Sequence, residues 1–98
     1  MDKKLKTKWI KALRGRRYKQ TCGTLHRNVG GKHFYCCFGV LMKVDGRDCG
    51  RDSTPSNGAL SEWNITENQR ITLERMNDGV ETRRHSFAEI ADYIEANL

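Results

Sequence analysis

Four cysteines and three histidines are the residues of this chain best suited to chemistry. Cys22-x₃-His26 followed by His33-x₂-Cys36 offers two sulfur and two nitrogen donors, a set that suits tetrahedral zinc. A hairpin would hold the ion only if all four side chains projected to one face. Cys22 and His26 share a face of an extended segment, whereas His33 and Cys36, three apart, do not. The expectation is therefore no metal and no cofactor, with the thiols packed as small apolar side chains. A second possibility is nucleophilic catalysis by Cys36 or Cys37 with His33 or His85 as base. The vicinal pair lies in the apolar run Phe34 to Met42, where burial raises a thiol pKa and suppresses reactivity. Neither a Walker-type phosphate loop nor a His-Glu-x₂-His motif occurs, and no carboxylate pair stands in a pocket-like context. The chain is expected to have no catalytic residues and not to be an enzyme.

Charge points elsewhere. The formal net charge is +6, but residues 1–35 carry eleven Lys and Arg against the single acid Asp2, while residues 36–98 carry seven against eleven acids. Such polarity predicts a polyanionic or acidic partner for the first third. The candidate binding residues are Lys3, Lys4, Lys8, Lys11, Arg14, Arg16 and Arg17. They are interleaved with Trp9 and Tyr18, and phosphate neutralisation beside an aromatic platform is one chemistry this allows. Docking on the acidic face of a protein is the other. Trp9 falls on an apolar stripe and reads as core.

Those cations need a helix to carry them. Leu5, Trp9, Ala12 and Leu13 recur at helical spacing, with Ile10 at the edge, which predicts a helix over residues 3–14. Asp2 is its cap, and Gly15 suits a left-handed position just past its end. Arg14 complements the helix dipole, but Lys3, Lys4 and Lys6 stand at its positive end and oppose it. Helix stability does not account for those three lysines.

Residues 18–27 read as a strand, Asn28-Val29-Gly30-Gly31 as a turn, and 32–36 as the returning strand of a hairpin. Cys37 to Val44 is a short apolar element, read as a helix stopped at Gly46. Residues 45–61, with three glycines and the only proline, read as one long loop. Thr66 caps a helix to Met76, with Ile71 and either Arg70 or Leu73 inward, and Asn77-Asp78-Gly79 ends it. Ser86 and Glu89 form a capping box for a helix that places Phe87, Ile90, Tyr93, Ile94 and Leu98 on one face. The two helices should pair as an αα-hairpin, with Trp63 in the core. A helix-turn-helix is disfavoured, because the chain stops at Leu98 with no recognition helix after it, and the 77–85 loop exceeds the usual turn of about 3–4 residues. The expected fold is thus α+β in a single domain, 1–98: N-terminal helix, β-hairpin, short apolar element, long loop and C-terminal αα-hairpin.

No apolar run approaches the roughly 20 residues a membrane span requires, and the N-terminal lysines precede no signal-peptide h-region. Adjacent cysteines and the lack of a secretory signal predict reduced thiols in a cytoplasm. Opposite charge on the two parts leaves self-association open.

Four stretches carry a resemblance to a family of small proteins of uncertain function from tailed bacteriophages and their prophages. They are Trp9-Ile10-Lys11-Ala12-Leu13-Arg14, Tyr18-Lys19-Gln20 with Gly23 and Leu25, Phe34-Tyr35-Cys36-Cys37-Phe38-Gly39-Val40-Leu41, and the pair Leu73–Asp78 and Ser86–Glu95. Thr21 stands where a glycine is usual, Tyr35 precedes the cysteine pair, and Met42 replaces the signature's last cysteine. The resemblance implies a phage accessory protein in a host cytoplasm and brings no active site with it. The expected function is to bind and modulate a host macromolecule, either a protein with an acidic surface or, alternatively, nucleic acid or a nucleotide second messenger.

Overall fold

A computed structural model describes residues Met1–Leu98 as eight elements: α1 (Lys3–Arg14), β1 (Lys19–Gln20), β2 (His26–Val29), β3 (Lys32–Tyr35), α2 (Cys37–Val44), α3 (Asn57–Trp63), α4 (Glu67–Asp78) and α5 (Phe87–Asn97). The architecture is α+β. α1 begins where Asp2 accepts the Leu5 N–H, and it turns Trp9 and Leu13 inward. Gly15, the residue just past its end, is extended (φ −74°, ψ 174°), not left-handed as its position predicts, while its N–H still closes the helix on the Lys11 carbonyl. The chain then bends through residues 15–18 into the sheet.

The segment 18–27 is not one strand. Gly23 takes φ +77° and breaks it into β1 and β2. β3 is the central strand of the order β1-β3-β2, parallel to β1 and antiparallel to β2. Asn28 and Val29 belong to β2, so the turn is Gly30-Gly31 alone, held by the Asn28 Oδ1, which accepts the Gly31 N–H. Both glycines have positive φ, which a side chain would resist.

α2 is the helix expected of the apolar run, buried from Cys37 to Met42, and it ends at Asp45 and Gly46. It crosses the backbone of Leu25 so closely that a Cβ on Gly39 would lie 1.9 Å from the Leu25 carbonyl oxygen. The stretch read as one loop to residue 61 instead forms α3 from Asn57. Ser56 caps it, and Ala59, Leu60 and Trp63 bury its inner side. α4 and α5 both start in capping boxes, at Thr66 and Ser86, and Gly79 ends α4 in the left-handed region. Leu73 sets the inner side of α4; Phe87, Ile90 and Ile94 set that of α5. α5 touches α4 and packs along α1. No helix is long and apolar enough to cross a membrane.

The core's polar centre is Asn77, fully buried inside α4 and not part of its stop signal. Its Oδ1 accepts from Gln20 Nε2 and the Cys37 N–H, and its Nδ2 donates to the Thr21 carbonyl and Asp78 Oδ1. One side chain therefore ties α4 to β1 and to the first turn of α2, with all its hydrogen-bonding capacity used.

Candidate functional site

Burial of Trp9 and Leu13 fixes how α1 is rotated, and so which cations face water. Lys3, Lys4, Lys8, Lys11, Arg16 and Arg17 are exposed and take part in no ion pair. Arg14 differs. Its two terminal nitrogens reach Asp92 Oδ1 at 2.8 Å and Glu95 Oε2 at 2.7 Å on α5, and these carboxylates raise the guanidinium pKa further. Arg14 joins two helices, and its charge is already answered inside the molecule.

Three of the expected residues are brought together. Lys8, Lys11 and Arg17 converge with Lys43 of α2 around an open groove of about 620 Å³, floored by Ala12, Gly15 and Val44 and edged by Tyr18. No carboxylate lines it. Lys43 was not among the expected residues, although a lone cation in the apolar stretch 37–44 must face solvent. A larger hollow of about 730 Å³ lies across Lys11 and includes Lys3 and Lys6. It also includes Glu95 and its partner Arg14, so its field is weaker. Lys4 and Arg16 line neither.

The thiols are placed for packing. Cys36 caps α2, its sulfur accepting the Gly39 N–H at 3.4 Å, and burial pushes its pKa up to about 12. Cys37, wholly buried, donates to the Leu73 carbonyl at 3.8 Å, and desolvation raises its pKa well above the ordinary thiol range. Cys49 donates to the Gly39 carbonyl, and burial raises it too. No histidine hydrogen-bonds either member of the vicinal pair. The four donors weighed for zinc do not converge, since the Cys36 sulfur turns into α2 while His26 and His33 meet each other. No three His, Cys, Asp or Glu side chains stand together as a metal site would require. His85 Nδ1 is buried without a hydrogen-bond partner.

The two hairpin histidines form a pair that strand alternation does not announce. His26 and His33 lie on the same face of β2 and β3, diagonal in register, with His26 Nε2 and His33 Nδ1 2.7 Å apart. Their ring centres are 5.0 Å apart and their planes 13° from parallel. That separation is what a 2.7 Å contact plus two ring radii leaves, so the imidazoles lie edge to edge in nearly one plane, one nitrogen donating and the other accepting. Tyr35, directly opposite His26, stacks on it at 5.0 Å, and Tyr18 meets Tyr35 edge-on at 5.4 Å.

No curated protein and no solved structure matches this chain. Residues 1–57, which carry α1, the whole sheet, α2 and every residue of the basic groove, match the family model of a domain of unknown function (DUF8296), and the chain belongs to that family.

Proposed function

We propose that this is a non-enzymatic binding protein that engages an anionic macromolecule through the groove between α1 and α2. One observation carries the reading: Lys8, Lys11, Arg17 and Lys43 converge on a groove without a carboxylate, and none of the four is paired within the molecule. Like charges held together cost stability through mutual repulsion, which a negative partner removes. The buried, desolvated thiols support a non-catalytic role. The phage-like stretches support a partner in the cytoplasm of a bacterial host, as expected of an accessory protein that modulates a host macromolecule. The acidic face of a host protein is the first such partner. Nucleic acid or a nucleotide is the second, and the tyrosine at the groove's edge favours it.

The test is capture from bacterial lysate by the wild-type chain and by the triple variant Lys8→Glu, Lys11→Glu, Lys43→Glu, with and without nuclease. All three lysines are exposed, so the variant should melt like wild type. Loss of a salt-sensitive partner in the variant is expected, since exposed charges are screened over about 8 Å at physiological ionic strength. Equal capture by a folded variant would sink the groove as the binding site.

A further inference from the structure

The basic groove does not end at Tyr18. From Tyr18 the rings of Tyr35, His26 and His33 follow one another at centroid separations of 5.4, 5.0 and 5.0 Å. Lys43 lines the groove at one end and also the small hollow beside the histidines at the other. A row of rings therefore leaves a cluster of four cations and crosses the hairpin, with one lysine bordering both.

The four rings are not equivalent. Tyr35 is almost buried and backs the row. Tyr18 is half-buried, and the Arg17 guanidinium lies 5.6 Å from its ring centre, an exposed side chain that an incoming ring can displace. His26 and His33 make a coplanar two-ring plate, wider than either imidazole, with His33 exposed. A flat plate of this kind offers a π-face to a base of any sequence. The in-plane hydrogen bond between the imidazoles and the tyrosine behind them hold the plate flat before anything binds.

Cations that track a phosphate backbone beside rings that stack bases are the two requirements of single-strand recognition. A stacked duplex hides its base faces and satisfies only the first. An acidic protein surface likewise has no use for the rings. Asp48 is the one carboxylate in the hollow by the histidines. It disfavours a phosphate there and suits the N–H groups of a base edge, so the charge pattern places phosphates at the groove and a base at the plate.

We propose that the groove and the Tyr18–Tyr35–His26–His33 row together form a binding track for single-stranded nucleic acid, phosphates on Lys8, Lys11, Arg17 and Lys43 and bases on Tyr18 and the His26–His33 plate. The proposal rests on the reading of the groove as an anion site and names its ligand.

The experiment measures anisotropy of labelled oligo-deoxythymidine and oligo-uridine of about ten nucleotides, within the usual span of single-strand sites, beside a duplex of the same length and polyglutamate. Both single strands should bind more tightly than the duplex and the polypeptide. Tyr18→Ala and His33→Ala should each weaken single-strand binding about tenfold and leave polyglutamate binding unchanged. His33 is exposed, so its variant keeps the test valid should the Tyr18 variant melt early. Single-strand binding no tighter than duplex binding, or unaffected by His33→Ala, overturns the track while leaving the groove standing. Binding of every probe by Lys8→Glu, Lys11→Glu, Lys43→Glu at wild-type strength overturns the groove itself. No binding of any oligonucleotide overturns the track and leaves the acidic protein face as the partner.

Discussion

The side-chain oxygen of Asn77 accepts the backbone N–H of Cys37 at 3.2 Å, so a residue in the last turn of α4 caps the first turn of α2. The first N–H groups of a helix have no partner within it, and the inner end of α2 is buried away from water. Asn77 supplies the missing acceptor and at the same time holds β1 through Gln20 and Thr21.

Asn77→Leu should therefore be far more damaging than its similar size suggests. It leaves the Cys37 N–H, one N–H of the Gln20 amide (the other still donates to the His85 carbonyl) and the Thr21 carbonyl without a partner, at about 1–3 kcal/mol for each that stays dry. Urea unfolding should show a loss of about 3 kcal/mol or more. A loss below about 1 kcal/mol would mean that water reaches the site and satisfies these groups.

Gly39→Ala tests the crossing of α2 over Leu25. The added methyl would sit 1.9 Å from a backbone oxygen, and neither backbone moves without disturbing the Cys36 N–H to Leu25 carbonyl bond at 3.2 Å. Alanine normally stabilises a helix over glycine by up to about 1 kcal/mol, so an unchanged or raised Tm would contradict the packing described. The expected result is the opposite sign, a loss of about 3 kcal/mol or an insoluble chain.

Glu89 gives a pH dependence with a defined direction. Arg83 and the Ser86 N–H hold its carboxyl at about 2, below its ordinary 4.5. A depressed pKa means the folded state favours the ionised form, so this stabilisation is complete above pH 4.5 and fades as pH falls towards 2. In thermal melts the wild type should lose Tm over that interval faster than Glu89→Gln, which has no charge to lose. Parallel curves for the two proteins would show that the pair contributes nothing.

Arg14→Ala separates a cation that joins two helices from the unpaired cations of the groove. It removes both ion pairs between α1 and α5. Exposed pairs are weak, so Tm should fall only slightly and no further at high salt, while binding through the groove should persist. Loss of binding equal to that of the Lys8, Lys11 and Lys43 variant would return Arg14 to the binding surface.

Local signals were the legible part of this fold. Asp2, Thr66 and Ser86 are caps whose chemistry acts within three residues, and the stripes of α1 and α5 repeat at helical spacing, so these elements follow from the chain itself. β1 does not, because two residues have no periodicity and it exists only by pairing with β3. α3 was hidden among glycines, its one signal being Ser56 ahead of Ala59, Leu60 and Trp63. The site divides in the same way. Exposure of Lys8, Lys11 and Arg17 follows from the Trp9–Leu13 stripe, whereas Lys43 joins them only because α2 packs beside α1. Capture of Arg14 by Asp92 and Glu95 depends on where α5 lands, which no spacing within α1 reveals. The His26–His33 pair required the register of the hairpin.

The close crossing at Gly39 has a mechanical consequence. Gly39 stands one turn before Lys43 on α2, and Leu25, whose carbonyl it abuts, immediately precedes His26 on β2. Leu25 is further tied on its N–H side to the Asp52 carbonyl at 3.0 Å. With no side chain between them, helix and strand meet backbone to backbone, and α2 has no room to move closer to β2. The backbone that carries Lys43 and the backbone that carries His26 are therefore held at the shortest separation two chains allow. A ligand that spans both must match a root-to-root spacing set by the backbone, adjusted only by the reach of the Lys43 side chain.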